Sequence, residues 1–265
     1  MAEKQNLKKR RVLVGGYHPA VICVWAAIQA CANMFPAIAL VGVGGTMSLA
    51  SVIIPLSGVL FGPYTGALCA SIGRIIGLLI SPSSAWLGPF TFLVATCTAF
   101  VAGLLSRGKW PIAYALNFLG IAIFYCFPVG RVAWIKGVTF GVSGILTCLL
   151  GGIFAKHFIT HKNVILRWIS LFTCCAGGLL TSCMFADIAN LILFHTPAIS
   201  MKVLAFISPT ERFVFGAAAA TVAIPLLLGL NKIGIRLGPQ TPEEETDPEP
   251  GEGEEMPLGQ DAAVQ

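Results

Sequence analysis

The apolar stretch PLSGVLFGPYTGALCASIGRIIG, residues 55–77, carries one charged side chain, Arg74. Asp187 lies in a second apolar run, with Asn190 one helical turn further on, and Asn33 lies in a third. Glu211, followed by Arg212, opens a fourth. If such runs cross a bilayer, a charge at the helix centre costs about 2.5–3.5 kcal/mol on insertion scales. Two uses would justify that cost. Arg74 could meet the acidic group of a ligand, or Arg74 and Asp187 could form an ion pair joining two helices. Asn33 and Asn190 have the same choice between a ligand and an interhelical hydrogen bond. Arg74, Asp187, Asn190, Asn33 and Glu211 therefore form the candidate substrate-binding set.

Catalytic chemistry finds no support. HExxH, GxSxG, GxxxxGK[ST] and HxE…CxxC patterns are all missing. An aspartyl mechanism needs paired carboxylates, and Asp187 has no second mid-run acid beside it. His157 and His161 have the i, i+4 spacing of a metal pair, but no third ligand accompanies them, so they read as loop basicity. The nine cysteines all fall in apolar runs and form no CxxC pair, which argues against zinc and against a disulfide framework. No catalytic residue, metal or cofactor is expected.

These residues sit in a chain of 265 residues, 56% hydrophobic and 11% charged, where soluble domains carry about 25% charged residues. Eight apolar segments can be drawn: 18–42, 47–62, 64–80, 87–106, 111–128, 134–155, 165–194 and 211–230. The expected fold is an all-α integral membrane protein, a compact bundle of six to eight transmembrane helices over 18–237. The second and third segments are short and joined at Gly62-Pro63, as a tight helical hairpin or a re-entrant break. Residues 1–17 form a basic segment containing KKRR. Residues 238–265 are an acidic, Pro- and Gly-rich tail expected to be disordered. Residues 1–238 hold all 17 bases and three acids, Glu3, Asp187 and Glu211, whereas 239–265 hold nine acids and no base. The basic part is loop charge beside a membrane and implies no nucleic acid.

The positive-inside rule puts both termini in the cytoplasm of a multi-pass plasma-membrane protein. Loops 43–46, 81–86, 129–133 and 195–210 then face outward, with Arg131 and Lys136 reaching the outer interface. Arg74, Asp187 and Asn33 fall about 9–13 Å below the outer ends of their helices. Asn190 and Glu211 are nearer that surface. The polar set thus clusters in the outer half, as a pocket open to the outside would require. Small residues, Ala26-x-x-x-Ala30, Gly66-x-x-x-Ala70, Gly73-x-x-x-Gly77 and Gly216 to Ala220, mark close helix contacts.

LFGPYTGALCASIGRIIG resembles the hairpin of the substrate-binding S components of energy-coupling factor (ECF) transporters. ERFVFGAAAATVAIPLLL, residues 211–228, resembles the family's last helix, and Ala26-x-x-x-Ala30 the small-residue motif of its first. The resemblance covers roughly 20–106 and 205–230. It implies a prokaryotic binding subunit, not an enzyme, that takes a vitamin or similar micronutrient from outside. A transmembrane coupling protein and two cytoplasmic ATPase subunits would hydrolyse the ATP. Ala26 and Ala30 would face the coupling protein, and loop 43–52 would lie near the ligand. The family core has six helices, and the excess here falls in 110–205. Two other readings stay open: an ion-coupled secondary transporter using Asp187, and a membrane-embedded enzyme or structural protein.

Overall fold

The computed structural model describes residues 17–39, 46–82, 87–159, 161 and 163–232. The basic N-terminal segment, the acidic tail and parts of loops 43–52 and 81–86 lie outside the described residues.

Helix α1 (Pro19–Ala32) leads into a two-stranded antiparallel hairpin, β1 (Pro36–Ala39) and β2 (Thr46–Ser48). Then come α2 (Ala50–Phe61), α3 (Pro63–Ile80), a 3-10 turn (Gly88–Phe90) and α4 (Thr91–Ser106). The second half holds α5 (Trp110–Cys126), the short α6 (Pro128–Val132), α7 (Trp134–Phe158), α8 (Val164–Phe194) and α9 (Ala198–Lys232). Proline occupies the first turn of α1, α3, α5 and α6, where its missing N–H goes unused. His18 and Asn163 cap α1 and α8, accepting from the amides of Ala20 at 3.3 Å and Ile165 at 3.0 Å.

The eight apolar segments correspond in order to α1–α5 and α7–α9. Among the described residues, five elements are long and apolar enough to cross a membrane: α3, α4 with the turn before it, α7, α8 and α9. The apolar helices α1, α2 and α5 are shorter. Val24, Leu68, Leu79, Phe118 and Val142 are exposed on the outside of the bundle. Large apolar side chains facing out from helices apolar all round are what a hydrocarbon solvent selects. The protein is an all-α membrane bundle carrying one small β-hairpin.

Three boundaries differ from those expected. The 18–42 segment breaks at Asn33, and its last part pairs as β1 with β2. Loop 129–133 contains most of α6. Residues 198–210, expected as loop, are the first turns of α9, which continues unbroken through Pro209.

Gly62 alone links α2 to α3, at φ 86°, a left-handed value that favours glycine. The two helices are therefore joined as a tight hairpin. Near the turn the backbones touch. A Cβ on Gly58 would strike the carbonyl of Ala99, and one on Gly66 the carbonyl of Ser57. One on Gly103 would lie 2.6 Å from the nitrogen of Pro63. So α2, α3 and α4 are pinched together at one end by residues without side chains.

Helix α8 is the centre of the bundle, with α4, α5, α7 and α9 packed on it. One core joins Leu60, Val101, Leu105, Cys174 and Phe215; a second joins Phe124, Phe140, Leu180, Met184 and Met201.

Candidate substrate-binding site

A polar ladder runs up α1 at one-turn spacing, through Trp25, Gln29 and Asn33. The indole N–H of Trp25 donates to Ser57 Oγ at 2.9 Å, and Ser57 Oγ donates to Gln29 Oε1 at 3.2 Å. Gln29 Nε2 donates to the carbonyl of Ala70 at 2.9 Å. Gly73 makes this approach possible, since a Cβ there would lie 2.9 Å from the carbonyl of Ala26. Asn33 Nδ2 donates to the carbonyl of Gln29 at 2.9 Å, and Ser48 Oγ donates to Asn33 Oδ1 at 3.1 Å. The ladder ends at Arg74, whose Nη1 donates to Asn33 Oδ1 and, at 3.3 Å, to Ser48 Oγ. Arg74 thus ties α3 to the end of α1 and to the last residue of β2. Buried polar groups without partners are expensive, and the ladder satisfies these in turn.

Arg74, 5% exposed, also lines a small, partly open cavity among α2, α3, α4, α8 and α9. Ser51, Thr91, Thr98, Ser182 and Arg212 supply its other hydroxyl and charged groups. Thr98 Oγ1 donates to Ser182 Oγ at 2.7 Å, linking α4 to α8 across the wall. The cavity holds about 40 Å3, room for a few waters. A larger groove of about 600 Å3 lies outside α3, α4, α5 and α8, lined by Leu93, Phe100, Phe185 and Ile192. Its walls are almost entirely apolar, a surface suited to lipid. Orienting a polar solute requires placed polar groups, and the inner cavity has them.

Asp187 meets a different partner from either one weighed for it. Its Oδ1 accepts from Lys136 Nζ at 2.7 Å, joining α8 to α7. Lys136 is fully buried, so it does not reach an interface. Met201 Sδ lies 3.3 Å from the ammonium, and the Phe140 ring centroid 5.7 Å from it. The Arg74–Asp187 ion pair, one of the two alternatives for these residues, is therefore not formed. The reason is geometric: α7 packs on the α8 face that carries Asp187, while Arg74 is held by Asn33 and Ser48. Asp187 and Asn190, each 4% exposed, do not line the cavity. The second oxygen of Asp187 and the side-chain oxygen of Asn190 are buried without hydrogen bonds.

Glu211 is half-buried inside α9 and does not line the cavity; its neighbour Arg212, 6% exposed, does. Sequence reasoning placed both at a helix start because it began the segment at 211. The apolar run from 198 to 230, interrupted only by the charges of Lys202, Glu211 and Arg212, is the available signal. Ala26 and Ala30 are each 2% exposed, and Ala26 packs on Cys69 of α3. Both side chains therefore pack within the chain. The outward face of α1 carries Cys23, Ala27 and Cys31.

Fold and cavity together define a polytopic helical membrane protein with a partly open pocket that polar side chains line. The sequence model of the family described as ECF-type riboflavin transporter, S component, matches residues 18–133, from α1 to the end of α6. The chain therefore resembles the S components of ECF transporters, which are transporter subunits and not enzymes. It is also similar to an uncharacterized protein of Methanocaldococcus jannaschii, 24% identical over 144 residues, 53% of this chain and 47% of that protein. The chain thus spans about half the length of that relative. No solved structure matches the chain.

Proposed function

We propose that this chain is the substrate-binding membrane subunit of an ECF-type importer. It takes up an organic micronutrient from outside, and a coupling protein and two ATPase subunits drive transport. The observation that carries this reading is the polar cavity inside an apolar bundle, walled by α2, α3 and α4 from the region the family model matches and by α8 and α9 from beyond it. Arg74 and Asn33, from the notional outer half, belong to this site or its edge. Asp187 and Asn190 belong instead to the support of α8. The Lys136 ammonium already neutralises the carboxylate that ion-coupled transport would need.

The family's description makes riboflavin the first ligand to test. Purified protein would be titrated with riboflavin and examined by native mass spectrometry for a retained small molecule. Binding without ATP supports the reading. A chain that binds no micronutrient, and gives no uptake in membranes supplied with a coupling protein and ATPases, refutes it.

A further inference from the structure

One end of the bundle collects basic residues from separate parts of the chain. The guanidinium of Arg107, after α4, lies against Gly62, the turn between α2 and α3. The phenol of Tyr17, before α1, donates to the carbonyl of Leu60 at 3.2 Å. Trp110, opening α5, lies against Gly152 in the last turns of α7. Ser170 Oγ, near the start of α8, donates to the carbonyl of Phe154 at 3.3 Å, and Trp168 Nε1 to Thr221 Oγ1 of α9 at 3.1 Å. Leu60, Leu105, Ile159 and Leu227 pack in one core beneath. Arg107 and Lys109 between α4 and α5, Lys156 in the last turn of α7, Arg167 in the first turn of α8 and Lys232 at the end of α9 therefore share this end. The segment before α1 adds five bases and one acid to the same side of the sequence.

Among the described residues the acids are Asp187 and Glu211, and neither is near. Asp187 is about 30 Å along α8 from Arg167, and Glu211 about 30 Å along α9 from Lys232. Arg167 Nη2 donates to the carbonyl of His161 at 2.9 Å. Arg167 Nε and Arg107 Nη1 are buried without a hydrogen bond among the described residues. The described part of this end thus gathers cations and holds no carboxylate.

Nine acids follow α9 in the same chain, from Glu243 to Asp261. Tethering to α9 sets their concentration at the bundle end in roughly the millimolar range. Glu243 lies far enough beyond Lys232 for the intervening chain to span about 36 Å when extended. Three helix diameters, about 30 Å, cross the end of the bundle, so the acids can reach every base there. A single exposed ion pair is weak and is screened by salt, so the contact needs several at once. Glu243-Glu244-Glu245 and Glu254-Glu255 supply clustered carboxylates, and arginine takes a carboxylate by paired, charge-assisted bonds.

We propose that the acidic segment 239–265 docks on this basic end of the bundle, with its carboxylates on Arg107, Lys109 and Arg167. The tail is then a built-in counter-charge, and a partner that docks at this end has to displace it. The proposal stands apart from the substrate-binding reading and does not depend on it.

The test treats the purified full chain, in a neutral detergent, with a carbodiimide that joins carboxylates to lysine amines in direct contact. An equimolar mixture of 14N- and 15N-labelled chains separates links within one copy from links between copies. Peptide mass spectrometry should find residues 243–255 joined to Lys109 or Lys156 within one copy. The yield should fall about fivefold or more between about 20 and about 500 mM sodium chloride, as the screening length shortens from roughly 20 to roughly 4 Å. Glu243→Gln/Glu244→Gln/Glu245→Gln leaves the bundle untouched and should lower the yield at the remaining carboxylates by about threefold or more. Arg107→Gln should lower it too, whereas Arg107→Lys, which keeps the charge, should retain most of it. No link to either lysine, links confined to Lys4, Lys8 and Lys9, links formed only between copies, or a yield indifferent to salt and to the glutamine variants would each overturn the proposal. So would links that vanish when phosphatidylglycerol replaces phosphatidylcholine in nanodiscs, because lipid headgroups and not the tail would then hold this end.

Discussion

Removing one member of the Lys136–Asp187 pair should be far more damaging than removing both. The ammonium and carboxylate are 2.7 Å apart, with side-chain exposures of 0% and 6%. In Lys136→Met the Asp187 carboxylate would lose its donor at Oδ1, and Oδ2 already lacks one. Isolating a buried charge in this way costs about 3–5 kcal/mol. In Asp187→Asn the ammonium keeps Met201 Sδ at 3.3 Å and the face of Phe140. A cation over a ring gains about 0.5–2 kcal/mol, so this variant should fall toward the lower end of the range. The double variant Lys136→Met/Asp187→Leu removes both charges and fills the space with apolar atoms. It should lie within about 1 kcal/mol of the parent, since well-packed apolar replacements of buried pairs are often neutral. Thermal unfolding in detergent would read this as a drop of roughly 6–20 °C for a single variant, at about 2–4 °C per kcal/mol for a chain of this size. The double variant should be nearly unshifted. Losses in the single variants that simply add in the double would refute the pairing argument. A double variant that stayed folded but lost Arg74-dependent ligand binding would refute the exclusion of Asp187 from the site.

Gly103→Ala should destabilise the bundle by about 1–3 kcal/mol, because its Cβ would lie 2.6 Å from backbone, which yields less than a side chain. Unfolding in detergent would show it; an unchanged midpoint would mean that the α3–α4 approach is looser than described. Gln29→Leu should cost about 1–3 kcal/mol by leaving Ser57 and the α1–α3 contact without their bridge. The indole of Trp25, which donates to the same Ser57, should report the change in fluorescence. Ala26→Leu, on the buried face, should lower folded yield, whereas Ala27→Leu should leave yield intact. If the outward face of α1 receives the coupling protein, Ala27→Leu alone should reduce its co-purification; equal behaviour of the two variants would contradict the assignment of faces.

Hydropathy alone makes eight helices readable, because each is a strongly apolar run set off from the next by polar residues, a proline or a glycine. The Gly62-Pro63 break was readable as a turn for the same reason. The β-hairpin after α1 was not, since 34–42 continues the apolar composition and nothing marks the change of period. Arg74 and Asn33 could be singled out individually, as polar side chains in apolar runs. Their direct contact joins positions 41 residues apart, and no spacing rule encodes it. The Lys136–Asp187 pair spans 51 residues and escaped notice because Lys136 sits near a segment start, where a long side chain can reach water. Arg212 was misplaced for a similar reason: drawing a helix boundary at the first charge assigns that charge to the surface.

The pinch of α2, α3 and α4 around Gly62 and Gly103 has a mechanical consequence. Where backbone already touches backbone, the three helices can come no closer, so that end acts as a fulcrum. Ile54 of the cavity wall lies eight residues along α2 from Gly62, a lever arm of about 12 Å. Tilting α2 against α3 by about 10° would then widen the wall by only about 2 Å at Ile54, and by more at the hairpin end. If the cavity receives a substrate, as proposed, room for it would open from the hairpin end first, and distances between probes at Leu49 and Ile80 should change on binding while the turn stays fixed.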